Sequence, residues 1–436
     1  MSMTNAFQPG KAELSERERS LVERRERLLG PAYRLFYERP IEIVRGEGAW
    51  LYDADGRRYL DAYNNVAVVG HCHPRVVKAL TEQAAVLNTH TRYLHEKLPA
   101  YAKALLATMP GSERQAMFTT SGSEANDLAC RIAELATGGT GFIATRLAYH
   151  GGTHLIAGMS PSLGPNSPKG PNVWLVDAPD GYRKPGDVGR NFAEGVRAAL
   201  ADMSRSGRRP AALIVDTVFS SDGVFCDPPG FLRAAVEAVR EAGGLFIADE
   251  VQAGFGRTGN HWWGYQRHNL SPDIVTMGKP MGAGYPMAGL AARPALLEGI
   301  GRSRYFSTFG GSPVAAAVGQ AVLDIVRDEG LIANAGVVGA ALVGGLRRLA
   351  EKHELIGDVR GAGLFIGVEL VMNRTTKAPA AEATTRIVNG LRERGVLISS
   401  AGPGANVLKI RPPLVFAAEH VGLLLAELDA ALATAG

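Results

Sequence analysis

Short apolar runs alternate with helix-like stretches through the middle of this chain, and that alternation leaves few folds open. The runs fall at 172–177, 211–218, 244–249 and 273–278, with helix-like segments between several of them, such as 229–242. Further helix-like segments at 76–88, at 99–108 and from Ser123 to about 137 precede them. Strand–helix alternation of this kind predicts an α/β fold, a mostly parallel sheet covered by helices. A long helical pattern from about 314 to 353 follows, and then the texture changes. Leu364–Leu370 and Val407–Arg411 read as strands, 380–394 and 417–433 as helices. This predicts a smaller α+β domain at the C-terminal end. Near the start, charged residues of mixed sign at 11–29 suit a solvated helix. Ala49–Leu60 reads as a β-hairpin turning at Asp53-Ala54-Asp55-Gly56. The expected division is an N-terminal segment 1–75 that joins the small domain, a large domain 76–330 and a small domain 331–436.

Bulk properties narrow the function classes. A chain of 436 residues is too long for one simple core. The formal charge of +4 gives no reason to expect nucleic acid or a membrane surface as partner. No window approaches ~18 uninterrupted apolar residues, so no transmembrane helix is expected. The first residues lack a basic stretch followed by an apolar core, so no signal peptide and a cytoplasmic location are expected. Cys72, Cys130 and Cys226 lie far apart, make no metal-ligand spacing and read as free thiols.

Chemistry is carried at the ends of two apolar runs. Leu245-Phe246-Ile247-Ala248 ends in Asp249, and Ile274-Val275-Thr276-Met277 is followed by Gly278-Lys279. In open α/β sheets ligands sit beyond the carboxyl ends of the strands, so both side chains are expected in one crevice. Alone, Lys279 is a surface lysine and Asp249 a turn carboxylate. Together they are what pyridoxal phosphate needs: a lysine to form the Schiff base and a carboxylate to keep the pyridine nitrogen protonated. Thr120-Ser121-Gly122-Ser123-Glu124 adds a phosphate seat. Ser121 and Glu124 have capping-box spacing, Gly122 leaves the backbone approachable, and a helix start attracts anions.

Ser121-Gly122-Ser123-Glu124-Ala125-Asn126, Asp249-Glu250-Val251-Gln252-Ala253-Gly254-Phe255-Gly256-Arg257-Thr258-Gly259 and Gly278-Lys279 together resemble the class III aminotransferases. Those are pyridoxal phosphate enzymes of fold type I, usually homodimers. Leu29–Phe36, Asn64-Asn65-Val66, Val69–Pro74 and Asn88–His95 are similar to the branch with mitochondrial-type alanine–glyoxylate aminotransferases and phosphoethanolamine phospho-lyases. The resemblance implies that Tyr149 stacks on the cofactor ring and that Gln252 bonds near its phenolic oxygen. It implies that Gly122 and Ser123 hold the phosphate and that Thr308 reaches the partner subunit's phosphate. Arg411, in Lys409-Ile410-Arg411-Pro412-Pro413, matches the arginine that grips a substrate carboxylate through two parallel hydrogen bonds. The substrates implied are an amine or amino acid and a 2-oxo acid.

One departure matters. Where ornithine- and GABA-type members carry a glutamate that sequesters the arginine, this chain has Ser221, within Ser220-Ser221-Asp222. Arg411 is therefore expected to lack that gate, with Asp222 as the only obvious stand-in. Two other functions stay open. A phospho-lyase would use the same Lys279 and Asp249 and need extra cations; Lys169 and Arg183 sit in suitable loops but read better as solvated charges. A non-catalytic protein that keeps the fold is disfavoured by retention of the whole constellation.

Overall fold

A computed structural model describes residues 5–111 and 113–435. The charged N-terminal stretch forms α1 (Glu16–Leu29), opened by a reciprocal cap between Ser15 and Glu18. The strands β1 (Ile43–Glu47), β2 (Trp50–Asp53) and β3 (Arg58–Asp61) follow, with the expected turn between the last two. Two helices, α2 (Pro74–Ala84) and α3 (Lys97–Leu106), lead to the main sheet. That region runs β4 (Gln115–Thr119), α4 (Gly122–Thr137), β5 (Gly141–Thr145), α5 (His154–Ala157) and β6 (Val173–Val176). It continues with α6 (Val188–Arg205), β7 (Pro210–Asp216), α7 (Arg233–Glu241), β8 (Leu245–Asp249), β9 (Ile274–Met277) and β10 (Ala288–Ala292). Helices α8 (Pro294–Gly301), α9 (Pro313–Asp328) and α10 (Leu331–Lys352) come next. The C-terminal part holds β11 (Ile356–Ala362), β12 (Phe365–Asn373), β13 (Ala378–Pro379), α11 (Ala381–Glu393), β14 (Val396–Leu397), β15 (Ser399–Ala401), β16 (Val407–Ile410) and α12 (Ala418–Ala435).

The main sheet has the order β4-β10-β9-β8-β7-β5-β6. Its pairings are parallel from β6 through β9, and β10 runs antiparallel to both neighbours. The sheet is buried on both faces, which explains why β7 and β8 are almost uninterruptedly apolar. Alternate residues feed two separate cores. Leu213, Val215, Phe246 and Ala248 pack on one side; Ile214 and Ile247 pack on the other with Leu128, Ala129 and Ile132 of α4. Each large aliphatic side chain removed from water in this way contributes about 1.5–3 kcal/mol. Strand parity then fixes a functional point: Asp249 is in phase with Ile247, so it emerges on the α4 side.

The structure departs from the sequence reading in two places. The helical pattern at 314–353 is two helices, because Gly330 takes φ +63 and ends the first turn of the chain away from α9. The sequence reading does not single out β1, β4, β5, β10, β11, β13, β14 or β15; in β5 and β10, Gly141, Ala144, Ala288, Gly289, Ala291 and Ala292 leave little apolar bulk. Helix α10 has a window of mean hydropathy 1.2, long and apolar enough to cross a membrane by length and composition. In this fold its Leu331, Ala335, Val338, Leu342 and Leu346 are buried.

The N- and C-terminal parts join. β3 pairs in parallel with β14, and the backbone N–H of Arg411 donates to Ala62 O at 2.9 Å. That contact brings the end of β16 next to the segment carrying Tyr63 and Asn65.

A buried histidine links stability to pH. His268 accepts from the Gly230 N–H through Nδ1 at 3.2 Å and packs edge-on against Phe231. Burial pulls its imidazole down to about 4. A depressed histidine adds stability that is complete above its unfolded value near 6.5 and is lost as pH falls toward 4. We expect His268→Gln to flatten this acid slope. Urea midpoints at pH 7.5 and 5 should show the wild type losing about 2 kcal/mol more than the variant.

Candidate active site

Asp216, Asp249 and Lys279 lie at the carboxyl ends of β7, β8 and β9, where they line one cavity of about 290 Å³. The register sets Asp216 beside Asp249 and Asp249 beside Thr276. Ser121, Gly122 and Ser123, at the start of α4, close one side of the cavity, and Tyr149, Gln252 and Tyr285 line it elsewhere. Eight of the nine predicted site residues therefore converge: seven line the cavity, and Arg411 touches its wall through Gln252. Thr308 does not join them. It is exposed on this chain, outside that lining.

Asp249 is fixed on three sides. Asn126 Nδ2 donates to Oδ2 at 3.0 Å, His150 Nδ1 lies 2.7 Å from the same oxygen, and Val251 N–H reaches Oδ1 at 3.1 Å. Asn126 is itself oriented, accepting from Thr276 Oγ1 at 2.6 Å and donating to His150 O at 2.7 Å. One amide of α4 thus ties together the ends of β8 and β9. Across the cavity Lys279 stands half-buried, its Nζ 6.0 Å from the centre of the Tyr149 ring. Desolvation, then the charge of Arg411, holds the Lys279 amine below the ordinary lysine value, against the opposite pull of Asp249 and Asp216. Its backbone sits at φ +33, a conformation that costs about 1–3 kcal/mol and gathers at functional sites.

The α4 start has the predicted capping box: Ser121 Oγ accepts from the Glu124 N–H at 3.3 Å, and Glu124 Oε2 accepts from the Ser121 N–H at 3.2 Å. Close approach there needs glycine. A Cβ on Gly122 would meet Val251 at 3.0 Å, and one on Gly151, at φ +133, would strike Ser123.

Comparison with known proteins agrees with this geometry. The chain belongs to the class III aminotransferase family, whose profile matches residues 36–432. It is 39% identical over 415 residues to an alanine–glyoxylate aminotransferase 2-like protein of Drosophila melanogaster, covering 92% of this chain and 84% of that one. It is 35% identical to ethanolamine-phosphate phospho-lyase homolog 1 of Caenorhabditis elegans, covering 94% and 93%. Among solved structures, a phospholyase from Arthrobacter in complex with phosphoethanolamine superposes with a TM-score of 0.92 at 42% identity, covering 95% and 99%. The protein is a pyridoxal phosphate-dependent enzyme of fold type I.

The residues present fit that cofactor. The positive end of α4 and the backbone around Gly122 and Ser123 offer a phosphate seat. Asp249 is held rigidly enough to serve a ring nitrogen, and the Lys279 amine is desolvated and unpaired by any carboxylate among the described residues. His150 Nε2, buried beside them, has no hydrogen-bond partner among the described residues.

Several residues were missed by the sequence reading. Asn126 and His150 carried no role, although Asn126 ends the Ser121–Asn126 motif and His150 adjoins Tyr149. Lys409 lies on β16, two positions before Arg411, which follows the strand directly; the two-residue spacing favours the same side. Burial and the neighbouring Arg411 charge hold its amine well below the ordinary lysine value. The loop cations weighed for a lyase have partners of their own. Lys169 Nζ donates to Val173 O at 2.7 Å, and Arg183 pairs with Asp180 and with buried Glu369. Asp222 does not stand in for the missing glutamate, because it accepts from Thr145 Oγ1 at 2.8 Å and the Leu147 N–H at 3.2 Å.

Proposed function

We propose that this enzyme moves an amino group from an amine or amino acid to a 2-oxo acid such as pyruvate, glyoxylate or 2-oxoglutarate, in two half-reactions at one site. The observation that carries the reading is a desolvated Lys279 amine facing Asp249 across a cavity that ends at the start of α4. When bound, pyridoxal phosphate supplies the electron sink that makes loss of a substrate's α-proton feasible. Ser121, Gly122 and Ser123 would hold its phosphate, Tyr149 its ring face and Asp249 its ring nitrogen. Lys279 Nζ, depressed toward neutrality, is the base that takes the α-proton and the acid that returns it. Arg411 orients the carboxylate of the 2-oxo acid. The enzyme works as a homodimer in this reading, with Thr308 serving the partner subunit's site. Its support is a group of exposed apolar side chains, Tyr93, Leu94, Phe306 and Phe309, with Arg92 stacked on Phe306.

A second reading has its own support. Lys409 and Arg411 together suit a doubly charged group, and the Arthrobacter phospholyase is 42% identical. In a phospho-lyase the electron pair left by the departing α-proton expels a β-phosphate instead of being reprotonated. One experiment separates the two. The purified holoenzyme is given an amine panel with pyruvate, glyoxylate or 2-oxoglutarate, and separately phosphoethanolamine alone. Amino transfer is the expected result; phosphate release without any amino transfer establishes the lyase and ends the first reading.

A further inference from the structure

Arg411 is held by uncharged groups alone. Its Nη1 donates to Asn65 Oδ1 at 2.9 Å and to Gln252 Oε1, and its guanidinium lies 4.3 Å from the centre of the Tyr63 ring. The other end of the Gln252 amide donates to Ser220 Oγ, and the Ser220 N–H donates to Asp216 Oδ2 at 3.0 Å. Arg257 stands close by, its Nη1 on the carbonyls of Leu364 and Pro412, and burial followed by the Arg411 charge pulls it down to about 9. Among the described residues, neither guanidinium nor Lys409 has a carboxylate in ion-pair contact. Donors are left over: Arg411 Nε, Asn65 Nδ2 and Arg257 Nη2 are buried with no acceptor. Buried cations without a counter-charge are costly, and that cost falls when an anion arrives.

We propose that Gln252 and Asn65 form a neutral latch on Arg411, which keeps the site open to anions in both half-reactions and makes an anionic group on the amino donor a requirement. The latch is specific to this chain's side chains: an amide oxygen positions the guanidinium without competing for its charge, as a glutamate would. An amine with no carboxylate or phosphate leaves Arg411 and Lys409 uncompensated and is rejected. Gln252 and Asn65 are positioning residues in this scheme, acting through Arg411. The proposal rests on the carbanion chemistry above and adds the class of donor.

The test uses holoenzyme in two arms. In the kinetic arm, donors bearing a carboxylate, a phosphate or neither are compared, which also distinguishes the two anion sources. The wild type is expected to prefer one anionic donor over the uncharged amine by about a hundredfold or more in kcat/KM. Gln252→Glu and Asn65→Asp each set a carboxylate against Arg411 from a different side. Each is expected to raise KM for the preferred donor about tenfold or more, and in Asn65→Asp, whose residue lies outside the cavity lining, kcat should change less than about threefold with cofactor absorbance retained. In the binding arm, inorganic phosphate and acetate are titrated calorimetrically, and the Kd of the matching probe should rise with KM. Unchanged KM and Kd in the variants that fold, or a wild type equally active on the uncharged amine, overturns the proposal. So does a fall in kcat with loss of cofactor absorbance at unchanged KM, which puts Gln252 on the cofactor. Should no donor turn over, the reading of amino transfer fails while the calorimetric arm still decides the latch.

Discussion

Lys279→Ala should lower turnover by about 10⁴-fold or more, the largest effect of any single change in this protein. The reason is local. Among the described residues Lys279 is the one lysine that lines the cavity, where it stands near the Tyr149 ring. Lys409 is a second desolvated amine, but it sits on β16 in the C-terminal sheet rather than at the end of β9. The variant should fold, since alanine inherits the same φ +33 backbone without adding bulk. Single-turnover kinetics measure the loss. Absorbance after dialysis checks its cause: a cofactor band that survives unchanged in the variant contradicts the role given to Lys279.

The second large effect is at Asp249. Asp249→Ala should reduce turnover about 10²- to 10³-fold, the loss seen when a preorganised electrostatic partner is removed from a reacting centre. It should also destabilise the protein by about 1–3 kcal/mol, because Asn126 Nδ2, the His150 ring and the Val251 N–H are left facing a void. Asp249→Asn separates the two consequences. It keeps the volume but removes the charge, so a thermal midpoint near wild type with turnover still depressed assigns the rate effect to the carboxylate. A near-wild-type rate in Asp249→Asn would contradict the assignment.

Much of this site was legible before any coordinates because it is written at strand ends. β8 and β9 are mostly apolar, so a charged residue closing β8 and a lysine just past β9 stand out, and parallel pairing forces them to one edge of the sheet. The Ser121–Glu124 spacing announced the start of α4 for an equally local reason. Partners that meet through tertiary contact were not legible. Asn126 and His150 are 24 residues apart, yet they bond to each other and to the same oxygen of Asp249. Arg411 finds Asn65 across 346 residues of sequence. Lys169 and Arg183 failed as site cations because a basic residue in a loop gives no hint of which carbonyl or carboxylate will take it. The break at Gly330 was masked by apolar periodicity on both sides, although glycine at a helix end was the available signal.

The amide of Asn126 has a consequence beyond catalysis. It ties α4, β8 and β9 together through protein contacts alone, so the chain meets the cost of ordering Asp249 while it folds. Cofactor capture is then docking into a finished seat rather than construction of one. The free energy of that docking returns to the whole protein by mass action, about 2.7 kcal/mol of added stability when free cofactor stands at a hundred times its Kd. Cofactor supply and the stability of the fold are thereby coupled.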